Sequence, residues 1–353
     1  MRCVVAAPGT ADAAAAARPD RERLEAVRDL VRRFPQAELR PLKLARAAEL
    51  DARADPSGAT RVWLALEALQ VTGSFKVRGA LVALDALGPG AQVVAASAGN
   101  HGAAVSYAAR VLGAHATVCI PRSAPLAKRS KIERHGAELV LVQSDHYDDA
   151  EALAKELAIT QGRVFLSPYD DENVVLGNGT SLAFDVVEAL GRVPDRVLAP
   201  FGGGGLASGL AWGMAAESEG RRVWGVQSEA SCAMALSLER GAAVERLETG
   251  GTTLAEGLEG GISVDGFARA RDVVAGVVVV SEKQIGEAMA WGAAALGVGL
   301  EGSAATSLVP LLEGLPENLR GGDVVAVLTG RNVDSERLAR LLPKGVSVPP
   351  SAD

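Results

Sequence analysis

Aromatic residues make up only 4% of this 353-residue chain, so it lacks the interleaving of rings and basic groups by which nucleic acids are gripped. Charge agrees: 36 Lys and Arg stand against 43 Asp and Glu, a formal net charge of −7, with no basic patch. No nucleic-acid partner is expected. Cysteine is equally scarce. Cys3, Cys119 and Cys232 are widely spaced and form no C-x-x-C, which argues against a disulfide framework and against a zinc site. The four histidines, His101, His115, His135 and His146, include no H-E-x-x-H, so no metal centre is expected, and only His101 lies in a candidate functional loop. No apolar run reaches the ~18 residues of a membrane helix. Near the N-terminus a four-residue V-V-A-A core, broken by charge and a Pro-Gly pair, is too short for a secretory segment. Residues 1–20 read as a disordered extension, and the protein as cytoplasmic.

What is present is apolar and regular. Hydrophobic residues make up 48% of the chain, and its length suits ~2 domains. Short apolar runs such as A-T-V-C-I-P, E-L-V-L-V and R-V-F-L-S alternate with helical patterns at 128–135 and 150–159. The pattern returns with D-R-V-L-A-P, a helix over 206–217 and R-V-W-G-V-Q. This alternation predicts α/β architecture with parallel sheets. G-V-G-L-E-G, Gly297 to Gly302, fits a dinucleotide fingerprint but follows a helical pattern where a strand is required, and is set aside.

Four segments carry chemistry. In T-G-S-F-K-V-R-G, Thr72 to Gly79, Lys76 sits at a strand-to-helix turn among apolar residues, where desolvation disfavours the ammonium and frees a nucleophilic amine. Phe75 can shield one side of it. In V-V-A-A-S-A-G-N-H-G, Val93 to Gly102, a strand runs into a Ser/Gly/Asn/His turn that opens a helix, whose N–H groups suit a carboxylate. Asn100 adds side-chain donors. In V-L-A-P-F-G-G-G-G-L, Val197 to Leu206, four glycines between a strand and a helix let successive N–H groups converge on a phosphate. In D-V-V-A-V-L-T-G-R-N-V-D, Asp323 to Asp334, a strand ends in Thr329, whose hydroxyl can hydrogen-bond a ring nitrogen without protonating it.

In this order the four segments resemble the fold-type II pyridoxal-phosphate enzymes, in particular the serine/threonine dehydratase (ammonia-lyase) group related to serine racemase. The resemblance runs from about Leu39 to Asp334 and includes G-N-G-T (Gly177 to Thr180), T-L-A-E-G (Thr253 to Gly257) and L-E-G-S-A-A (Leu300 to Ala305). It implies two open twisted parallel-sheet domains of the tryptophan synthase beta type: a large one from 21–91 plus 169–345 and a small one, 92–168, inserted in it. Pyridoxal 5'-phosphate would lie in the interdomain cleft. The resemblance implies that Lys76 forms the Schiff base, Phe75 packs beside the ring and Asn100 bonds the ring oxygen. Ser97, Ala98, Gly99, Asn100 and His101 would hold the substrate carboxylate. Gly202, Gly203, Gly204, Gly205 and Leu206 would cradle the phosphate, and Thr329 would face the pyridine nitrogen. A homodimer acting on a small amino acid is implied as well.

Departures from the pattern narrow the expectation. Racemase-like members carry a second serine where this chain has Ala98, so elimination from a β-hydroxy amino acid such as L-threonine or L-serine is the better match than two-base racemisation. Gln227 and Ala233 stand where serine racemases ligate a divalent ion with Glu and Asp, so no Mg²⁺ site is expected. Arg40, Ala65, Ala68 and Arg331 also depart from the commoner residues. They leave open a pocket shaped for another β-substituted amino acid, such as a hydroxyaspartate or phenylserine, or for β-replacement. A non-catalytic ligand-binding homologue is the other alternative. Only about twenty residues follow Asp334, and no appended regulatory domain is expected.

Overall fold

The computed structural model describes residues 3–7, 18–247 and 253–342. Its eleven strands are β1 (Cys3–Ala6), β2 (Leu44–Arg46), β3 (Thr60–Ala65), β4 (Gln92–Ala96), β5 (His115–Pro121), β6 (Glu138–Val142), β7 (Val164–Phe165), β8 (Arg196–Pro200), β9 (Val223–Ser228), β10 (Gly276–Val280) and β11 (Gly322–Val327). They form two sheets. The larger has the order β1-β10-β9-β8-β11-β3-β2 and the smaller β6-β5-β4-β7. Every pairing in the small sheet is parallel, and the large sheet is parallel except at its two edges, where β1 and β2 pair antiparallel.

Alternation along the strands explains why helices cover both faces of the large sheet. In β11, Val325 and Val327 enter one apolar cluster while Val324 and Ala326 enter another on the opposite face. A strand dry on both sides reads as an unbroken apolar run, and G-V-V-V-V of β10 is buried at every position. Parallel strands need crossover connections, and here these are mostly helices.

Four of these helices shape the site: α1 (Lys76–Leu87), α2 (Asn100–Leu112), α3 (Leu126–Arg134) and α4 (Gly205–Glu217). α1 follows β3, α2 follows β4 and α4 follows β8. The turns that open them therefore stand at carboxyl ends of strands, where open α/β sheets place their ligands. The helix expected over 206–217 is α4, to within a residue at its start. Gly297 is the left-handed C-cap (φ 65°) of the helix Glu282–Leu296, which explains why the fingerprint-like glycines there are no nucleotide loop.

The N-terminus differs from the expectation of a wholly disordered extension. Cys3–Ala6 adds the edge strand β1, with Val5 opposite Val277. The short V-V segment is long enough to pair an otherwise open sheet edge. Residues 8–17 of the expected extension, and 343–345 of the expected large domain, lie outside the described residues.

Candidate active site

The turn carrying Lys76 is stitched to the turn after β11. The Phe75 N–H donates to the Thr329 carbonyl at 3.0 Å and the Arg331 N–H to the Gly73 carbonyl at 2.9 Å. Gly73 has φ 75°, and a side chain there would strike Asn332, so glycine is required on both counts. Behind the turn, α1 crosses the π-helical segment Leu176–Thr180. The Gly79 N–H donates to Asn178 Oδ1 at 2.9 Å, and Gly177 lies against the Arg78 backbone so closely that a Cβ would sit 2.6 Å from the Arg78 carbonyl oxygen. The G-N-G-T match is thus a packing device that fixes the first turn of α1.

Lys76 Nζ donates to the Pro168 carbonyl at 2.7 Å and lies 5.2 Å from the centroid of the Phe75 ring. Burial brings the pKa of the amine down to about 8, against an opposing pull from the Glu301 carboxylate. A cleft of about 1390 Å³ opens in front of it. Lys76 and Phe75 line that cleft together with Ser97, Ala98, Gly99, Asn100 and His101 from the start of α2. Gly202, Gly203, Gly205 and Leu206 line it from the start of α4, as does Thr329. Gly204 does not; it turns the loop at φ 89°. The sequence-expected residues, from four distant stretches, therefore meet in one place.

The glycine loop is a cradle that side chains would fill. A Cβ on Gly203 would stand 2.6 Å from the Tyr169 ring, and one on Gly205 3.0 Å from the Tyr169 carbonyl. The bare backbone and the positive end of α4 leave this part of the cleft suited to a phosphate. A shielded amine of lowered pKa faces the same space. These residues fit pyridoxal phosphate.

His101 is only 3% exposed, and its Nε2 lies 3.0 Å from the Leu166 carbonyl. A carbonyl only accepts, so Nε2 carries the hydrogen and Nδ1, which has no partner, is bare. Burial and the nearby Lys76 push its pKa down to about 3. The ring is neutral, and any contribution of His101 to anion binding comes from its backbone at the N-terminus of α2.

Glu301, Asn332 and Lys131 also line the cleft, and the sequence had not marked them out. Asn100 Nδ2 donates to both carboxylate oxygens of Glu301, at 2.9 and 3.0 Å. Burial raises the Glu301 pKa, against the Asn100 side chain, the Asn332 N–H and two lysines that lower it. Within L-E-G-S-A-A the glutamate was visible only as part of a match; its burial follows from the packing of Glu301 over Gly330, where a Cβ would meet its carboxylate. Removing this charge has a signed consequence. In Glu301→Gln the pull that holds the Lys76 pKa up is lost, so the amine titrates lower and more of it is free base at pH 7. Capture of pyridoxal phosphate by the apo-protein at pH 7 is expected to be faster than in the parent, with its half-maximal pH displaced downward. A midpoint that stays put or rises would contradict this electrostatic assignment.

One expectation is revised. Arg40, Ala65, Ala68 and Arg331 do not line the cleft. Arg40 donates to the Leu69 carbonyl at 2.8 Å, Ala65 and Ala68 are buried in the core, and the Arg331 backbone serves the Lys76 turn. These departures supply no ground for an altered pocket. Gln227, standing where a metal ligand was sought, uses its amide to join the Phe201 carbonyl (3.1 Å) to the Ala235 N–H (3.0 Å), and so braces the strand entering the glycine loop.

Comparison with known proteins agrees with this geometry. The family model described as pyridoxal-phosphate dependent enzyme matches residues 39–330. An L-threonine ammonia-lyase of Thermotoga maritima is 36% identical over 291 residues, 81% of this chain and 70% of that protein. A catabolic L-threonine dehydratase of Escherichia coli is 36% identical over 287 residues, 79% of this chain and 85% of that one. The solved crystal structure of a T.th. threonine deaminase superposes with a TM-score of 0.79 at 33% identity, covering 90% of this chain and 99% of the other. With its shielded lysine, its glycine cradle and this kinship over most of its length, the chain belongs to the pyridoxal-phosphate dependent enzymes.

Proposed function

We propose that the chain is an ammonia-lyase that deaminates a β-hydroxy amino acid of the threonine or serine type to a 2-oxo acid and ammonia. The single observation that carries this reading is the amine of Lys76, half-buried, its pKa lowered to about 8, and facing the same cleft as the glycine loop and Thr329. The named relatives are threonine ammonia-lyases and dehydratases, which supports the choice of reaction.

Bound pyridoxal phosphate supplies an aldehyde that condenses with amines and a ring that accepts the electron pair left when Cα loses its proton. The protein supplies the rest. The N–H groups at the start of α2 face the cleft and hold the substrate carboxylate, which orients the Cα–H bond toward Lys76. With a pKa near neutrality, Lys76 can take the α-proton as a free base and release it again as an ammonium to the departing β-hydroxyl, which leaves as water. Ala98 offers no hydroxyl on the opposite side, so a second proton donor for inversion is missing from that position. Thr329 keeps its own proton and leaves the ring nitrogen uncharged, which favours prompt loss of the β-substituent. The neutral His101 adds no charge that would compete for the carboxylate. Ser97 Oγ accepts from the Gly99 N–H at 3.1 Å and shapes the loop.

A homodimer and a cytoplasmic setting, implied by the resemblance of the sequence motifs, belong to the same proposal. Among the described residues no helix is long and apolar enough to cross a membrane. Sedimentation giving a species of 36.2 kDa would contradict the dimer.

Incubation of the purified protein with a panel of β-hydroxy amino acids, followed by assay of ammonia and 2-oxo acid in equal amounts, tests the reading. Turnover of L-threonine or L-serine without any added nucleophile is expected. Product formed only when a thiol or amine is added would overturn elimination in favour of β-replacement, and inversion of recovered serine would overturn the use made of Ala98.

A further inference from the structure

Lys131 has no part in the chemistry above, yet it joins the small-sheet unit to the catalytic turn. It projects from α3, and its Nζ donates to the Thr72 carbonyl at 2.7 Å and to Asn332 Oδ1 at 2.6 Å. Asn332 Nδ2 in turn donates to Asn100 Oδ1 at 2.6 Å and to the Thr72 carbonyl at 3.1 Å. Asn100 Nδ2 points on to Glu301. Groups that can only donate or only accept fix the direction of every bond in this chain: the Lys131 ammonium at its start, the Thr72 carbonyl beside Asn332, and the Glu301 carboxylate at its end. An ammonium has donors and no acceptor, so Asn332 must turn its oxygen toward Lys131 and its NH₂ toward Asn100. Asn100 must then accept through its oxygen and offer its own NH₂ to Glu301 and the cleft.

Without the ammonium, Asn332 Oδ1, half-buried at the wall of the cleft, loses its charged donor. The amide is then held through its Nδ2, on the Thr72 carbonyl and Asn100, and is freer to tilt or rotate. With Asn332 reversed, its oxygen faces Asn100 and draws the Asn100 NH₂ away from the cleft, so that an acceptor confronts both the Glu301 carboxylate and whatever oxygen the ligand presents there. Burial lowers the Lys131 pKa to about 8, with Glu301 favouring the ammonium and Arg331 and Arg134 opposing it, so the ammonium is the major form at pH 7.

We propose that Lys131 is a positioning residue: reaching across from the small-sheet unit, it sets the polarity of the Asn332–Asn100 amide chain, so that Asn100 presents donors to the ring oxygen of the cofactor. The inference rests on the reading of the cleft as the cofactor site and adds to it a residue that touches neither cofactor nor substrate.

The test uses the holoenzyme of Lys131→Met, which keeps the length of the side chain and removes its donors, with Lys131→Arg as the conservative variant. Lys131→Met is expected to hold the cofactor on Lys76 still. Its visible band should move, or change its pH dependence, because the hydrogen bond to the ring oxygen sets the protonation of the chromophore. Its kcat is expected to fall ~10- to 100-fold, the cost of a misplaced catalytic contact, with a smaller change in KM. Lys131→Arg should recover the parent spectrum and most of the rate. Asn332→Leu should reproduce the spectral change, and the double variant should be no worse than either single one, since both break the same chain. A Lys131→Met spectrum and kcat within about twofold of the parent would overturn the proposal, as would effects of Lys131→Met and Asn332→Leu that multiply. Absence of any visible band in the parent protein would instead overturn the cofactor reading itself, so the two failures are distinguishable.

Discussion

Lys76→Ala is expected to leave a folded, colourless protein whose deaminase rate is at least ~10⁴-fold below the parent, the upper range for removal of one acid-base group. The reason for so large an effect is that one nitrogen has two tasks. It holds the cofactor, and it moves the α-proton. Alanine also removes the donor to the Pro168 carbonyl, but Pro168 lines the cleft, where water can replace the lost partner, so the fold should persist. Parent and variant are compared by absorbance near ~410 nm, a generic property of the protein-bound cofactor, by far-UV circular dichroism, and by ammonia release. A variant that keeps both the band and more than about a hundredth of the rate would contradict the role given to Lys76.

The second large effect concerns stability. Arg78 is fully buried, two residues beyond Lys76. Its Nε and Nη2 donate to the Glu67 carboxylate at 2.8 and 2.9 Å, Nη1 to Ser181 Oγ at 3.2 Å, and Nη2 lies 2.8 Å from Asp185. Glu67 has no exposed side-chain surface either. Arg78→Met therefore strands a carboxylate in the core and is expected to cost ~3–5 kcal/mol. Adding Glu67→Leu should return part of that loss, because the fully buried charge goes with it while Asp185, at the edge of the core, keeps some access to water. Chemical denaturation of the single and double variants makes the comparison. A single-variant loss below ~1 kcal/mol, or a double variant worse than the sum of the singles, would contradict the account of this pair. The link to function is geometric: the arginine ties the first turn of α1 to Glu67, just beyond β3, and so fixes where Lys76 begins.

These two arginine and lysine positions show what was and was not legible in the sequence. Lys76, the S-A-G-N-H turn, the glycine run and Thr329 each sit where an apolar strand meets a turn, a local pattern that reads directly, and all four meet in the cleft. Arg78 has no such signal. Within V-R-G-A-L-V-A-L it looks like the polar position of an amphipathic helix, and its burial arises only when the 67–69 turn and the helix Ser181–Leu190 close around it. Glu301, Asn332 and Lys131 were hidden for the same reason. Each is an ordinary polar residue in its own stretch, and the hydrogen-bonded chain among Lys131, Asn332, Asn100 and Glu301 exists only once α3 and the turns after β4 and β11 face one another. The alternative of a pocket reshaped by Arg331 finds no support in the cleft lining, because sequence adjacency to Thr329 does not fix on which side of the turn a side chain emerges. Likewise Cys3–Ala6, read as part of an extension, gains its strand only from the open edge of β10.

The central claim is that the amine of Lys76 is the covalent anchor of the cofactor. Reduction of the pyridoxal-phosphate-loaded enzyme with borohydride, followed by proteolysis and mass mapping, tests it most directly. The account expects one pyridoxyl-modified peptide, containing Thr72 to Gly79 with the added mass on Lys76. Label on another lysine, Lys131 included, or the absence of any covalent label in the yellow enzyme, would contradict it.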